Sequence, residues 1–448
     1  MNIDLLTVEI GSTITKVNAW DNINSEITHI GQSTSLTTVN LNDVTIGVEN
    51  AVSQLEKSLK QKIVPSEILI NSSAAGGLKI AVFGLTHDMT VRAAREASLG
   101  AGAIIKYIGV GKIQKYIIKE LKEAQPAIII LSGGVDFGET DITLHNAEIL
   151  SAEGPDIPYI YAGNTKISRI IKEIFENNNK KITITENVYP NIDELNIDPC
   201  REIIQHTFSE HIIHASGMEK LSQLTSKEII PTPYAVMKTA EYIYKTMGNV
   251  IIFDVGGATT DVHSVTEDSP ENSVKRTEPE PLSKRTVEGD LGVYVNAENL
   301  NEIKHKFFTD KIDLSNLKPM PDNIESVKIS SYLAQKAVNI SMTRHAGVKK
   351  NLFTPTGKKS YVKGRDLTAV KYVIGTGGAL TKLPGALDIL KNSLISDYGE
   401  HLVPPAEVVC GIDKNYIFSS LGTIIFHYKN INIKNIIKNS LKHNSEEQ

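Results

Sequence analysis

The chain has 448 residues, 41% hydrophobic and 22% charged, which allows two or three domains with their own cores and excludes general disorder or a fibrous repeat. Its 47 Lys and Arg against 52 Asp and Glu leave a formal charge of -5, the wrong sign for a broad nucleic-acid footprint. Cys200 and Cys410 form no C-x-x-C clip, zinc spacing or disulfide framework, which fits buried thiols in a reducing cytoplasm.

The first ten residues carry Asp4 and Glu9 inside their apolar run and lack a basic start and a small-residue cleavage site, so no secretory signal is expected. No apolar run approaches the roughly 18 residues of a membrane span. Short apolar runs at 5–10, 16–20, 67–70, 127–131, 159–161, 250–253 and 372–374 read as buried strands, and helical pattern fills intervals such as 91–123 and 199–224. That alternation predicts an α/β chain. Residues 266–286, with three prolines among charges, read as a long polar surface loop. Residues 351–365 read as a second, more basic loop, and the Asn- and Lys-rich tail from 430 as one exposed helix fraying by 442.

The sequence also echoes itself. Glu9-Ile-Gly-Ser-Thr-Ile-Thr-Lys-Val17 aligns with Asp254-Val-Gly-Gly-Ala-Thr-Thr-Asp-Val262 at an offset of 245. Ile130-Leu-Ser-Gly-Gly-Val135 aligns with Ile374-Gly-Thr-Gly-Gly-Ala379 at an offset of 244. Type and spacing agree, so two related α/β domains are expected to face one cleft, residues 1–245 and 246–448, the second carrying the polar loop.

In each nine-residue match an acid ends a strand, Gly permits a tight turn, and hydroxyl residues enter the returning strand. Such turns aim backbone N–H groups at one spot, an anion nest whose usual guest is phosphate. Glu9 and Asp254, each two residues before the turn glycine, would sit beside that phosphate as holders of Mg2+ or its water shell, which predicts a metal nucleotide. Gly375-Thr-Gly-Gly-Ala379 follows a strand where backbone must approach a ligand or a helix closely. Asp136, on the Gly-rich turn Ser132–Gly138, is a carboxylate that could position water or Mg2+ or bond its own turn. Gly109-Val-Gly-Lys112 lacks the first Gly and the hydroxyl residue of a P-loop. His206, Glu210 and His214 share a helix face, with His211 nearby, but span about 12 Å, so at most an adjacent pair could share a metal ion.

The patterns at 9–16, 254–262 and 375–379 resemble the actin, Hsp70 and sugar-kinase superfamily, whose two domains clamp Mg-ATP. More narrowly, Asn71-Ser-Ser-Ala-Ala-Gly-Gly-Leu78, Leu131-Ser-Gly-Gly-Val-Asp136, Tyr161-Ala-Gly-Asn164, Arg285-Thr-Val-Glu-Gly-Asp-Leu-Gly292 and Arg344-His-Ala-Gly347 resemble the glutamate mutase L family. The resemblance runs from about residue 3 to about 425. It implies an ATPase chaperone that opens an adenosylcobalamin-dependent mutase or aminomutase and releases damaged cobalamin. It places Gly11, Ser12, Thr13 and Lys16 on the first phosphate loop and Gly256, Gly257, Thr259 and Thr260 on the second. Gly375, Gly377 and Gly378 fall on the adenosine motif. Asp254 matches the second-loop acid that helps hold hydrated Mg2+, and the catalytic carboxylates would be Glu9, Asp136 and Asp254. The first-loop acid, expected as Asp, is Glu9 here, one methylene longer, which bears on metal geometry and turnover. Cobalamin would be held by the partner, since no axial-His signature is present. Two readings compete: a small-molecule kinase on the same fold, marked by acceptor-dependent ATP use, and a non-catalytic nucleotide-gated scaffold, marked by polymerisation with ATP.

Overall fold

The computed structural model describes residues 1–74, 78–212, 215–355, 357–395 and 400–443. β1 (Asn2–Ile10) and β2 (Ile14–Asp21) make a hairpin that β3 (Thr28–Leu36) extends, and β4 (Val64–Ser72) runs parallel to β1. The chain then builds a separate, wholly parallel sheet from β5 (Lys79–Gly84), β6 (Ile104–Val110), β7 (Ile128–Leu131), β8 (Tyr159–Tyr161) and β9 (Ile182–Ile184). It returns through the helix Asp198–Ile212 to β10 (Ile230–Pro231), which pairs with β4 and completes the first sheet.

After the helix Thr232–Thr246 the pattern repeats. β11 (Val250–Val255), β12 (Thr260–Val265) and β13 (Ser283–Glu288) form an antiparallel meander. The hairpin β14 (Val348–Thr354) and β15 (Gly357–Lys363) stands apart, while β16 (Tyr372–Thr376), β17 (Val409–Asp413) and β18 (Leu441–His443) finish the sheet. Taken from the meander outward, the orders β3-β2-β1-β4-β10 and β13-β12-β11-β16-β17 are the same, two antiparallel joins followed by two parallel ones. The expected α/β class with two related halves therefore holds.

Side-chain alternation along β11 shows how the layers form. Ile251, Phe253 and Val255 face the helices Ile324–His345 and Ala386–Ile395, and Val250 and Ile252 face the opposite core. That second core is shared: Leu5, Trp20 and Leu69 of the first sheet and Val250, Ile252 and Ile374 of the second pack on the helices Thr232–Thr246 and Phe418–His427. The halves are thus joined through a two-helix layer.

All seven expected strands are present, but several longer assignments change. The second echo falls apart: Ile130–Val135 closes β7 of the parallel sheet, whereas the counterpart of β16 is β4. A glycine turn after a buried parallel strand is a general need of α/β units, so type and spacing can agree without common descent. The true counterpart of the Gly375 motif begins at Asn71, which pairs with Glu9 as Thr376 pairs with Asp254, and residues 75–77 lie outside the described residues. The expected helix over 91–123 is two helices, Arg92–Gly100 and Ile117–Ala124, around β6, a half-exposed edge strand whose apolar spacing mimics a helix. The polar stretch 266–286 holds a helical turn at Pro270–Ser273 and ends inside β13. Its charges are not free in solvent, because Glu278 pairs with Arg92 at 2.7 Å and Lys284 with Glu96 at 3.5 Å, strapping it to the helix Arg92–Gly100 after β5. The basic loop at 351–365 is mostly hairpin, and the tail buries Ile437 and Leu441 and adds β18 to the sheet.

The two-helix layer is closest at Gly422, where a β-carbon would fall on the carbonyl group of Ala235. Gly422→Ala is expected to cost at least about 1–3 kcal/mol by overpacking and to lower the melting temperature. Gly289→Ala, whose β-carbon would meet nothing within 4 Å, should leave it nearly unchanged.

Candidate functional site

The two hairpin turns have the same geometry. Gly11 N–H donates to Ile14 O at 3.0 Å and Gly256 N–H to Thr259 O at 2.9 Å, again 245 residues apart. Added β-carbons would sit 2.8 Å from Ile14 O and 3.2 Å from Thr259 O, so the glycines let each turn close. The backbone N–H groups of Ser12, Thr13, Gly257 and Ala258 have no hydrogen-bond partner among the described residues. The carbonyls behind them are occupied: Thr13 O accepts from Thr37 N, Gly257 O from Tyr294 N at 2.9 Å, and Ala258 O from Asn296 Nδ2 at 2.7 Å. Each turn therefore shows donors outward and acceptors inward, the polarity an anion requires. Thr259 Oγ1 is turned to Asp261 at 3.3 Å, buried Thr260 holds Leu291 O at 2.7 Å, and exposed Ser12 Oγ donates to Ser73 O at 3.4 Å.

The two acids differ in their company. Glu9 lies opposite Lys16 in the β1–β2 register, and its Oε2 is 2.7 Å from Lys16 Nζ, with both side chains buried. Ser419 Oγ donates to the same carboxylate. Lys16 Nζ in turn donates to Tyr416 O at 2.9 Å and lies 3.3 Å from the centre of the Tyr416 ring. Asp254 occupies the matching place opposite Asp261, an acid facing an acid. Asp261 is drawn off by Arg285, whose Nη2 is 2.6 Å away and whose Nη1 donates to Leu99 O and Ala103 O beside the parallel sheet. The Asp254 side chain has no hydrogen bond or ion pair among the described residues. Burial first, then the Asp261 and Glu9 carboxylates, push its carboxyl up to about 7, against the pull of Lys16 and Arg285.

Gly377 closes against this acid. It has φ +84°, and a β-carbon there would strike Asp254 Oδ1 and the Val255 backbone, so only glycine fits. Gly378 faces open space, whereas Gly375 lies inside β16 and is packed by Ile412 and Leu380. Thr376 donates to the buried Asp413 at 3.1 Å, which also accepts from Ile417 N and Phe418 N and so caps the helix that carries Ser419. Sequence reasoning missed Tyr416, Ser419 and Asp413, which lie on no repeated motif. Two motifs of the resemblance do meet: Arg344 binds Glu288 at 2.6 Å and Asp290 at 2.8 Å, fixing the segment that covers the second turn.

Asp136 is placed elsewhere. It lies beyond β7 in the parallel sheet, where its Oδ1 accepts from Thr165 N at 2.9 Å and Asn187 Nδ2 at 3.0 Å. No hydrogen bond or ion pair joins it to Glu9 or Asp254 among the described residues. His206 and Glu210 form an exposed pair at 3.5 Å, and His214 lies outside the described residues. Both cysteines are buried, with Cys200 pushed up to about 12 and Cys410 to about 11 by desolvation. Among the described residues no group of three or more His, Cys, Asp and Glu forms a metal cage, and no helix is long and apolar enough to cross a membrane.

The raised Asp254 carboxyl has a testable sign. Its folded value of about 7 lies above the unfolded 3.8, so a stability cost develops as pH rises between those values and stands in full above 7. Asp254→Asn is therefore expected to raise the melting temperature of the ligand-free chain at about pH 8 and to leave it nearly unchanged near pH 4. A lower melting temperature at pH 8 would contradict the assigned environment.

A profile of the MutL protein family matches residues 5–441. Protein MutL of Clostridium tetanomorphum is 34% identical over 442 residues, 94% of this chain and 95% of the relative. Among solved structures, a nucleotide-free diol dehydratase-reactivating factor aligns over 95% of this chain and 100% of its own, at 11% identity and TM-score 0.36. A carbohydrate kinase from Novosphingobium aromaticivorans aligns over 96% and 92%, at 8% identity and TM-score 0.29. Scores this low add nothing to the reading of the site. The match to the family profile over nearly the whole chain, with the close relative, shows that the chain belongs to the MutL protein family.

Proposed function

We propose that the chain is an ATP-binding accessory protein, an ATPase that reactivates an adenosylcobalamin-dependent mutase or aminomutase, glutamate mutase or a relative, by releasing damaged cobalamin. One observation carries the nucleotide half of this reading: two hairpin turns of one shape present four N–H groups without a partner among the described residues, with the equally unpartnered carboxylate of Asp254 beside the second. The partner half rests on family membership and on the motifs that resemble glutamate mutase L. The halves divide near residue 245, at the end of the helix Thr232–Thr246. The two buried, unpaired thiols suit a reducing cytoplasm.

When bound, Mg-ATP supplies a transferable phosphoryl group and a metal charge to stabilise it. The chain's own residues divide the rest of the work. Ser12 and Thr13 on one turn and Gly257 and Ala258 on the other bind phosphate oxygens through their N–H groups, while the Gly377–Gly378 turn lets the backbone approach the adenosine. Asp254 suits a hydrated divalent cation, because its negative charge has no protein counter-ion and a cation relieves the repulsion from Asp261 and Glu9. Glu9 is already held by Lys16 and Ser419, and it acts here as a fixed countercharge that keeps Lys16 on the second half. Lys16, bound to both Glu9 and Tyr416 O, would be the side chain through which a phosphate held at the first turn would bear on the join between the halves. A partner gripping both halves would be pried by a change at that join.

The test is Mg-dependent phosphate release from ATP with no acceptor added. Slow turnover is expected, and Asp254→Asn should lower it by roughly 100-fold while the protein stays folded. Asp136 enters the mechanism only by closure of its turn onto the cleft: turnover that survives Asp136→Asn removes it from the reaction. Release that needs an added hydroxyl acceptor would mark a kinase instead.

A further inference from the structure

The hairpin of β14 and β15 has a fixed root and a free arm. At the root Val362 N–H donates to Lys275 O at 2.8 Å and Thr277 N–H to Val362 O at 3.1 Å, while Lys349 pairs with Glu271 at 2.9 Å and Lys363 with Glu278 at 3.0 Å. Beyond it, residues 350–353 and 357–359 are exposed, and a two-stranded ribbon in water is marginal by itself. Its composition is one-sided. Residues 348–363 hold five lysines and no acid, on a chain whose formal charge is -5. Lys350, Lys358 and Lys359 are exposed and have no ion pair among the described residues. Phe353 lies opposite Lys358 and Leu352 opposite Lys359, so each face of the arm sets an apolar side chain beside a lysine. Lysines alone would keep a strand edge from pairing, but Phe353 at 80% exposure and Leu352 at 55% work against solubility and suit a contact.

The opposite composition lies on the first half. Segments 132–144 and 187–196, at the carboxyl end of the parallel sheet, hold five acids, Asp136, Glu139, Asp141, Asp193 and Glu194, and no Lys or Arg. Asp136 N–H donates to Pro190 O at 2.9 Å and Asn187 Nδ2 to Asp136 Oδ1 at 3.0 Å, which makes the two segments one surface. Asp141, Asp193 and Glu194 are exposed and have no ion pair among the described residues. On the same surface Phe137 is 79% and Ile192 72% exposed. Lys166, on the turn after β8, offsets no more than one of these charges.

We infer that the hairpin of one copy docks on this acidic surface of a second copy, so that the chain associates with itself. The two surfaces match in kind: unpaired lysines meet unpaired carboxylates, and Leu352 and Phe353 meet Phe137 and Ile192. The arm is not placed to serve its own chain. Glu278 accepts from Lys363 with one oxygen and from Arg92 of the first half with the other, at 2.7 Å, which fixes the root against the half that carries the acids. In that fixed arrangement both surfaces stay exposed, open to another molecule. Pairing of hairpin with hairpin is opposed by the lysines on each. A two-fold arrangement makes the hairpin-to-acid contact twice and closes as a dimer.

The test is sedimentation velocity on the full chain at about 100 µM in about 50 mM salt, where exposed charges are weakly screened. A dimer is expected, and about 0.5 M salt should weaken it at least about tenfold. Lys358→Glu with Lys359→Glu should give a monomer, as should Asp141→Lys with Glu194→Lys, each melting within about 3 °C of the wild type. An equimolar mixture of the two variants should dimerise again, because each acidic arm then meets a basic surface and each unaltered arm an unaltered one. The inference is overturned if the wild type is monomeric under these conditions, if the dimer survives both pairs of substitutions, or if the mixture stays monomeric. A loss of stability regained only when both pairs stand in one monomeric chain would put the hairpin on its own acids and overturn it too. So would a monomeric chain that needs Lys358 and Lys359 to hold a purified mutase or single-stranded DNA.

Discussion

The buried pair of Glu9 with Lys16 is where the two halves of the molecule are tied. Removing two charges from water is costly, and that cost is offset only where the remaining bonding capacity is met. Here Ser419 and Tyr416 meet it from the second half, through 400 residues of intervening chain. Loss of either partner would leave a bare buried charge, which costs about 3–5 kcal/mol. The pair is thus less a source of stability than a condition on how the halves meet. Asp413 extends the condition, since it caps the helix carrying Ser419 and holds Thr376 beside Gly377.

The duplicated hairpins have the same backbone and opposite electrostatics. Register places Lys16 across from Glu9 but Asp261 across from Asp254, so one turn is neutralised within itself and the other carries an excess of negative charge. Arg285 takes Asp261 and spends its other nitrogen on the carbonyls of Leu99 and Ala103, which leaves Asp254 as the acid without a partner. Two buried cationic side chains therefore connect the hairpins to the rest of the molecule: Lys16 to the second half and Arg285 to the parallel sheet. Under the proposed reading these are the routes by which a nucleotide would move the parts a partner grips.

Much of this was legible in the sequence for physical reasons. The strand runs stand out because both faces of a buried strand must be apolar, and the first echo stands out because an acid, a turn glycine and hydroxyls are all needed at one place. The glutamate mutase L motifs supplied the family, but not the geometry. What stayed hidden was whatever depends on contact between distant segments. Tyr416 and Ser419 carry no local pattern. The strap at 266–286 looks like a solvated loop until Arg92 and Glu96 are found against it. The second echo misled because glycine turns follow parallel strands wherever they occur, and only strand order shows that β7 belongs to another sheet.

The central claim is that one nucleotide is held by both hairpin turns at once. Amide hydrogen exchange at Ser12, Thr13, Gly257 and Ala258, measured with and without Mg-ATP, tests it most directly, because these N–H groups have no partner among the described residues. Slowing at all four on addition of Mg-ATP is the expected result. Slowing at one turn with the other unchanged, or at neither, would contradict a shared phosphate site.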